Sequence, residues 1–292
     1  MIQPVQSHDA LLADIRAHAN DPGFRLWWLG QSGFLLQWQG RHVLLDPYLS
    51  DSLTRKYATT DKPHVRMTEL VIDPAQLSFV DIVTSSHNHT DHLDAESLGP
   101  ILDGNPSVKL LIPEANRAFV ADRLEIDPAK PIGLDDGSTI DLSGIRFSGV
   151  ASAHETVERD EQRRAKFLGY VLQFGGWNLY HSGDTIRYDG MAEKLRPFAV
   201  DLALLPINGR AAERRVPGNL FGAEAAQLAH DIGAKTVIPC HYEMFEFNTA
   251  SPDQFVSACR HLNQPFQVLC CGERFDARAM GEYKANTEGA QK

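Results

Sequence analysis

The sequence predicts an α/β (α+β) fold in which two β-sheets pack face to face and helices cover their outer surfaces. Both halves of the chain carry several short apolar stretches typical of strands, and helical patterns accompany them in each half. The 292 residues show no internal repeat, linker or low-complexity tract. We therefore expect one domain, spanning residues 1–292, that is large enough to bury a sizeable core.

The N-terminal part predicts a helix followed by three strands. Residues 7–19 place leucine and isoleucine at helical spacing, and Ser7 can cap that helix. The three strands are joined by short glycine-containing turns, as in an antiparallel meander, and they cover residues 25–29, 34–38 and 42–46. Residues 47–75 lack clear periodicity, and they form either one edge of a substrate cleft or a plain surface excursion.

The remaining strands and helices are interspersed along the chain. Strands are predicted at 82–84, 109–113, 139–142, 145–150, 169–174, 177–180, 201–206, 235–239 and 267–271. Helices are predicted at 94–98, 114–124, 190–195, 221–232 and 252–262. Gly233 directly follows one of these helices, at a position where glycine commonly ends a helix.

Composition narrows the class of protein. The net charge of −10 argues against a general surface for nucleic acid or anionic membrane, so neither is expected as a partner. There is no basic-then-apolar leader and no apolar run of roughly 18 residues, which predicts a cytoplasmic protein. The four cysteines show no framework spacing and are expected to be reduced, although Cys240 lies beside a candidate metal ligand. The sequence leaves open whether the protein forms a homo-oligomer.

A cluster of histidines and one aspartate carries most of the chemistry. His87, His89, Asp91 and His92 follow an apolar strand and precede a helical stretch, so they lie on a strand-to-helix loop. Imidazole and carboxylate are ligands that zinc and similar ions accept at roughly 2.0–2.2 Å. Such a loop can hold one cation with its first two histidines and a second with Asp91 and His92. The alternative is a solvated polar loop with a chance run of histidines.

Three more candidates follow apolar strands directly, namely His154, Asp184 and His241. Strand ends are rigid and open onto loops, so side chains there can converge on one cleft. Gly183 permits a tight backbone that directs the Asp184 carboxylate into the site. Each residue alone is more simply a surface or hydrogen-bonded group, and their order after the histidine cluster makes the set informative.

This pattern resembles the metallo-β-lactamase superfamily over nearly the whole chain. The residues that match its ligand motifs, in order, are His87, His89, Asp91, His92, His154, Asp184 and His241. Five segments are similar to the branch containing L-ascorbate-6-phosphate lactonase: 28–33, 45–47, 181–185, 205–210 and 239–245. The segment 87–94 also resembles the N-acyl-phosphatidylethanolamine phospholipase D group. The resemblance implies a four-layer αβ/βα sandwich with metals at one edge.

The resemblance also implies how the ligands divide. The first ion would be held by His87, His89 and His154, and the second by Asp91, His92 and His241, with Asp184 as the bridge. The cofactor is therefore one or two divalent ions, zinc or manganese, with iron also accepted by such ligands.

The expected chemistry is hydrolysis by a water activated on a metal ion. A bound cation lowers the pKa of its water from 15.7 toward about 7 and polarises the substrate oxygen. Asp91 would orient that water, or act as its base if only one metal is present. His181 is the nearest candidate by sequence to protonate the leaving group, and its alternative role is structural, at a strand end.

Substrate contacts are predicted from the segments after two strands. Arg210 is the expected contact for an anionic group, with Asn208 beside it, because arginine is the best fork for carboxylate or phosphate. Alternatively, the charged residues of this region are exposed to solvent and form salt bridges with one another. Tyr242 is expected to line the pocket.

The sequence thus predicts a metal-dependent hydrolase of a small anionic ester or lactone, a sugar-phosphate lactone being one such substrate. One alternative is a phosphodiesterase, phospholipase D-like or nuclease-like, on the same site. Another, of a different class, is a non-catalytic metal-binding or redox module.

Overall fold

The computed structural model describes residues 1–278 and shows two mixed β-sheets with helices. The strands are β1 Phe24–Gly30, β2 Gly33–Trp38, β3 Arg41–Leu45, β4 Ile82–Thr84, β5 Lys109–Pro113, β6 Ile132–Leu134, β7 Thr139–Leu142, β8 Ile145–Ala151, β9 Leu168–Phe174, β10 Trp177–His181, β11 Leu202–Pro206, β12 Thr236–Cys240 and β13 Arg274–Asp276. The α-helices are α1 His8–Ala17, α2 Ser52–Tyr57, α3 Ala95–Gly104, α4 Arg117–Leu124, α5 Met191–Leu195, α6 Gly222–Asp231 and α7 Asp253–Leu262.

Each sheet combines antiparallel and parallel pairing. The first has the order β13-β1-β2-β3-β4-β5-β6, and it is antiparallel up to β3 and parallel beyond it. The second has the order β12-β11-β10-β9-β8-β7, with parallel pairing between β10, β11 and β12. The predicted α/β fold with two sheets is confirmed.

The two sheets share one apolar core. Phe24 of the first sheet packs edge-on against Phe174 of the second, with ring centroids 5.5 Å apart, and against Trp177 at 5.3 Å. Helix α1 adds Leu11 and Ile15 to the same cluster, which is the apolar face that its spacing predicted. The core therefore lies between the sheets.

The C-terminal part differs from prediction. Residues 267–271 form no strand; instead, the sheet gains β13, which pairs antiparallel with β1. Gly272 has φ 81°, and the Glu273 carboxylate accepts a hydrogen bond from Cys270 N, so a turn forms where the apolar run suggested a strand. The short strand β6 was also not predicted.

Strand direction explains where the site forms. Strands β8, β10 and β12 run in the same direction within the second sheet, so their carboxyl ends meet at one edge. His154, Asp184 and His241 each follow one of these ends, and the loop after β4 brings the histidine cluster to the same edge. Within residues 1–278, no helix is both long and apolar enough to cross a bilayer.

Candidate metal centre

The predicted ligands form two overlapping groups, and within each group the candidate ligand atoms lie within 4.8 Å of one another. The first group is His87, His89, His154 and Asp184, and the second is Asp91, His92, Asp184 and His241. Asp184 belongs to both. This is the division that the resemblance implied, and the binding of metal by these residues stays a prediction.

The Asp184 carboxylate faces three imidazoles. Its Oδ1 lies 3.2 Å from His92 Nε2, and its Oδ2 lies 3.3 Å from both His154 Nε2 and His241 Nε2. Asp91 Oδ2 in turn lies 3.5 Å from His241 Nε2. One carboxylate therefore stands between the two groups, as a bridging ligand must.

The residues present fit a metal ion. Within residues 1–278, three of the converging atoms are buried and make no hydrogen bond of acceptable geometry, although the last two lie 3.2 Å apart: His87 Nε2, His92 Nε2 and Asp184 Oδ1. Buried polar atoms are costly when left unpaired, so a convergent set of them needs a ligand that accepts several lone pairs at once. Neutral imidazole and carboxylate supply such lone pairs to a divalent cation.

The predicted ligand histidines fall into two pairs according to the direction of their pKa shifts. Burial lowers the pKa of His87 well below its usual value, and burial together with His154 lowers that of His89 to about 4. For His92, burial is outweighed by Asp184 and Asp91, which raise its pKa well above normal. The same carboxylates raise the pKa of His241 to about 9. The carboxylates thus favour the charged form of these two histidines.

Glycine 183 is required by its surroundings. Its φ is 58°, and a Cβ there would lie 2.5 Å from the Cβ of Ser86. Only glycine therefore lets the chain after β10 press against the loop after β4. This close approach places Asp184 beside the histidine cluster.

Hydrogen bonds behind the ligands fix the imidazole rings. His154 Nδ1 lies 2.7 Å from Gly218 O, and His92 Nδ1 lies 2.7 Å from Asp46 Oδ2. With Nδ1 engaged in this way, Nε2 of each ring faces the other ligands. Asp46 was not assigned this role from the sequence, although its position directly after β3 repeats the pattern that singled out Asp184.

A cavity of about 260 Å³ opens over this centre. Its lining includes five of the predicted ligands: His89, Asp91, His154, Asp184 and His241. The segment 47–75, for which two roles were open, provides Lys56, Tyr57 and His64 to the wall. It therefore edges the cleft.

The structure does not bring His181, the predicted proton donor, to the cavity over the ligands. Its side chain is completely buried, and its Nε2 lies 3.0 Å from the carbonyl oxygen of Ser32. Its ring lies in the core, with its centroid 6.2 Å from that of Phe34, whereas Asp184, in the loop after β10, reaches the site.

None of the predicted substrate contacts lines that cavity, although Arg210 lines a neighbouring one together with His154, and their role stays a prediction. Arg210 pairs with both carboxylate oxygens of Glu224, at 2.6 and 2.7 Å. Asn208 is buried and donates to Asn248 Oδ1 at 2.9 Å. Tyr242 is buried, and its hydroxyl donates to Leu269 O. Each is thus committed to a partner within the fold.

Two cations that sequence reasoning missed line the cavity instead. Lys56 comes from α2, and Arg123 comes from the last turn of α4. Arg123 Nη1 donates to Asn88 O at 2.7 Å, which positions it against the histidine loop. Neither residue carries a local motif, and only the folding of distant segments brings them to the site.

Comparison with known proteins identifies the family. A family model described as a beta-lactamase superfamily domain matches residues 25–241, and the chain belongs to this superfamily, in its metallo-β-lactamase form. A metal-dependent hydrolase from Myxococcus xanthus is 28% identical over 255 residues, covering 83% of this chain and 78% of that protein. Curated relatives of this name confirm the predicted enzyme class, a metal-dependent hydrolase.

Solved structures show the same fold. An isothiocyanate hydrolase from Delia radicum gut bacteria has a TM-score of 0.69 at 18% identity, covering 86% of this chain and 98% of that one. A possible metal-dependent hydrolase from Veillonella parvula has a TM-score of 0.68 at 17% identity, with the same coverage of 86% and 98%. The lactonase branch, the identity of the metal and a cytoplasmic location stay predictions.

Proposed function

We propose that this chain hydrolyses a small anionic ester or lactone, of which a sugar-phosphate lactone is one candidate. The observation that supports this most is the shared lining of one cavity. His89, Asp91 and Asp184 form part of its floor, while Lys56 and Arg123 form part of its wall. A hydrolytic centre and two cations thus face the same space of about 260 Å³.

The cavity favours an anion within an otherwise acidic protein. The chain carries a net charge of −10, yet within residues 1–278 neither Lys56, which lies over the Tyr57 ring, nor Arg123, which lies over the Phe119 ring, forms an ion pair with a carboxylate. Their charge is therefore available to a carboxylate or phosphate group of a substrate. Tyr57, Phe245 and Phe247 add ring faces to the wall, which suit the body of a small organic molecule.

The chain's own residues orient the reaction. When bound, divalent ions lower the pKa of water and polarise the substrate oxygen. Asp91 remains ionised because His92 and His241 outweigh the effect of its burial and lower its pKa. Its carboxylate lines the cavity and stays negatively charged, so it orients the attacking water.

His64 is proposed as a hydrogen-bond acceptor for the substrate. Its Nδ1 lies 3.0 Å from Lys62 O and donates to it, which leaves Nε2 as the acceptor. Burial lowers the pKa of this imidazole, so the neutral form is present at neutral pH. Tyr57 stacks on the ring at 4.2 Å and holds its orientation in the wall.

Turnover assays of the protein loaded with Mn²⁺ or Zn²⁺ test the proposal. The panel contains phosphorylated lactones, carboxylated esters, neutral counterparts of both, and phosphodiesters. We expect hydrolysis of anionic lactones or esters, loss of that activity on chelation, and recovery on adding the metal. Turnover of phosphodiesters alone would favour the phosphodiesterase alternative, and no turnover of any substrate would contradict the proposal.

A further inference from the structure

Gln31 lies in the turn between β1 and β2, and it is completely buried. Its φ is 50°, in the left-handed region that is strained for a non-glycine residue. Its carbonyl oxygen accepts hydrogen bonds from Trp28 Nε1 at 3.0 Å and from His241 N at 2.9 Å. Strained residues held in this way cluster at functional sites. The turn therefore fixes Gln31 directly beside a predicted ligand.

The side-chain amide of Gln31 sits between two predicted ligands. Its Nε2 lies 2.7 Å from Asp91 Oδ2 and 3.1 Å from His241 Nε2. Those two atoms are 3.5 Å from each other. Atoms bound to one ion at roughly 2.1 Å are themselves about 3.0–3.4 Å apart. The three terminal atoms are thus spaced much as three ligands of one ion are.

The other end of the amide has no partner. Gln31 Oε1 is buried without a hydrogen bond within residues 1–278. The terminal torsion of glutamine has a broad, roughly two-fold preference, so its oxygen and nitrogen can exchange places. In the metal-free state the amide hydrogens satisfy the Asp91 carboxylate. A cation between these groups repels the amide hydrogens and attracts the oxygen.

We propose that Gln31 is a further ligand of the second group, binding the ion through Oε1 beside Asp91, His92, Asp184 and His241. Five side chains exceed the four of a tetrahedral zinc site, and one water brings the number to six. Carbonyl and carboxylate oxygens with octahedral geometry suit Mn²⁺. The Gln31 oxygen is therefore expected to strengthen binding of Mn²⁺ to the second group more than binding of Zn²⁺. This rests on the metal centre of the proposed function, but binding rather than turnover tests it.

Mn²⁺ titration of the metal-free full chain tests the assignment. Free Mn²⁺ is followed by electron paramagnetic resonance, and bound metal by elemental analysis after dialysis. The variants are Gln31→Met, which removes the oxygen at similar size, Gln31→Glu, which keeps an oxygen ligand, and Gln31→Asn, which withdraws the amide by one methylene. Gln37→Met is the matched control, because Gln37 is also buried but bonds Ile15 O and His42.

We expect the wild type to bind two Mn²⁺ ions. Gln31→Met and Gln31→Asn should weaken one of the two by at least about 10-fold, with a smaller loss for Zn²⁺. Gln31→Glu and Gln37→Met should retain both ions. Circular dichroism shows whether each variant folds. If Gln31→Met does not fold, the affinity of Gln31→Asn provides the test.

Three results would overturn the assignment. Unchanged affinity for both ions in the folded variants would show that the amide is not a ligand. A single ion in the wild type that Gln31→Met and Gln31→Asn retain at full affinity would show that the second group does not bind as proposed. A second ion that appears only when Gln31 is replaced would show that the amide blocks the group. These binding results do not depend on turnover, so they keep their meaning even if no hydrolysed substrate is found.

Discussion

His92 Nδ1 lies 2.7 Å from Asp46 Oδ2, and both side chains are completely buried. Asp46 Oδ1 also accepts a hydrogen bond from Ser86 N at 3.0 Å, so the carboxylate is held on the loop that carries the histidines. A carboxylate behind a ligand histidine fixes the ring and strengthens its remaining nitrogen as a ligand. Asp46 is therefore expected to support metal binding without touching the ion.

Replacing Asp46 tests this support. Asp46→Asn keeps the size of the side chain but removes its charge, and it should weaken binding of one ion by about 10- to 100-fold. Competition with a chelator of known affinity measures the change. Asp201→Asn is the control, because Asp201 is also buried but binds Asn178 N and Lys235. Wild-type affinity in Asp46→Asn would contradict the role assigned to Asp46.

Alanine substitutions at Gly183 and Gly176 distinguish the cost of a steric clash from the cost of backbone strain alone. Both have positive φ, 58° and 83°, but a Cβ meets Ser86 only at Gly183 and nothing within 4 Å at Gly176. Gly176→Ala should cost about 1–2 kcal/mol of unfolding free energy from backbone strain alone. Gly183→Ala should cost more and also weaken metal binding, because Asp184 is displaced. Urea unfolding measures the unfolding free energy of both variants. Equal losses of unfolding free energy would show that the contact with Ser86 does not matter.

Lys56 should set the preference for anions. Lys56→Met keeps most of the stem and removes the charge, so KM for an anionic substrate should rise about 10-fold, which corresponds to about 1.4 kcal/mol. Lys56→Arg should retain most of the affinity. Steady-state kinetics on anionic and neutral analogues measure the effect. An equal rise of KM for the neutral analogue would mean that Lys56 acts through shape rather than charge.

Arg210→Ala is the companion control. Because this guanidinium is paired with Glu224 and does not line the cavity over the ligands, KM should stay close to that of the wild type. A large rise in KM would return Arg210 to the substrate site.

His42 should make stability fall at mildly acid pH. Burial lowers the pKa of this imidazole below its usual 6.5, with Asp81 opposing the shift, while Gln37 Nε2 lies 2.9 Å from its Nε2. As pH drops below 6.5, the unfolded chain takes up a proton that the folded chain binds less readily, so the unfolding free energy decreases. His42→Gln should show a shallower loss between about pH 7 and 5.5 in urea unfolding. Equal slopes would contradict this.

Local patterns predicted much of the fold and the position of the centre. Apolar stretches predicted the meander β1–β3 because its strands are adjacent in sequence and short turns join them. The ligand set was visible because Asp184 and His241 each follow a strand, and carboxyl ends of strands meet at one edge. The strand at 267–271 was wrong because a turn at Gly272 outweighed the apolar composition.

What the sequence did not predict depends on distant segments. Lys56 and Arg123 lie on separate helices, and nothing local connects them to the histidine cluster. Arg210 looked like a free cation because its partner Glu224 lies 14 residues away. His181 and Asp184 are three residues apart, yet only the second faces the cavity, because the strand ends between them.

Elemental analysis of Asp184→Ala, compared with the wild type and with His181→Gln, tests the central claim most directly. Asp184 touches both groups of predicted ligands, whereas His181 is buried behind them. We predict that the wild type and His181→Gln retain divalent metal after dialysis and that Asp184→Ala loses both metal and hydrolysis. Full metal content and full activity in Asp184→Ala would contradict the account.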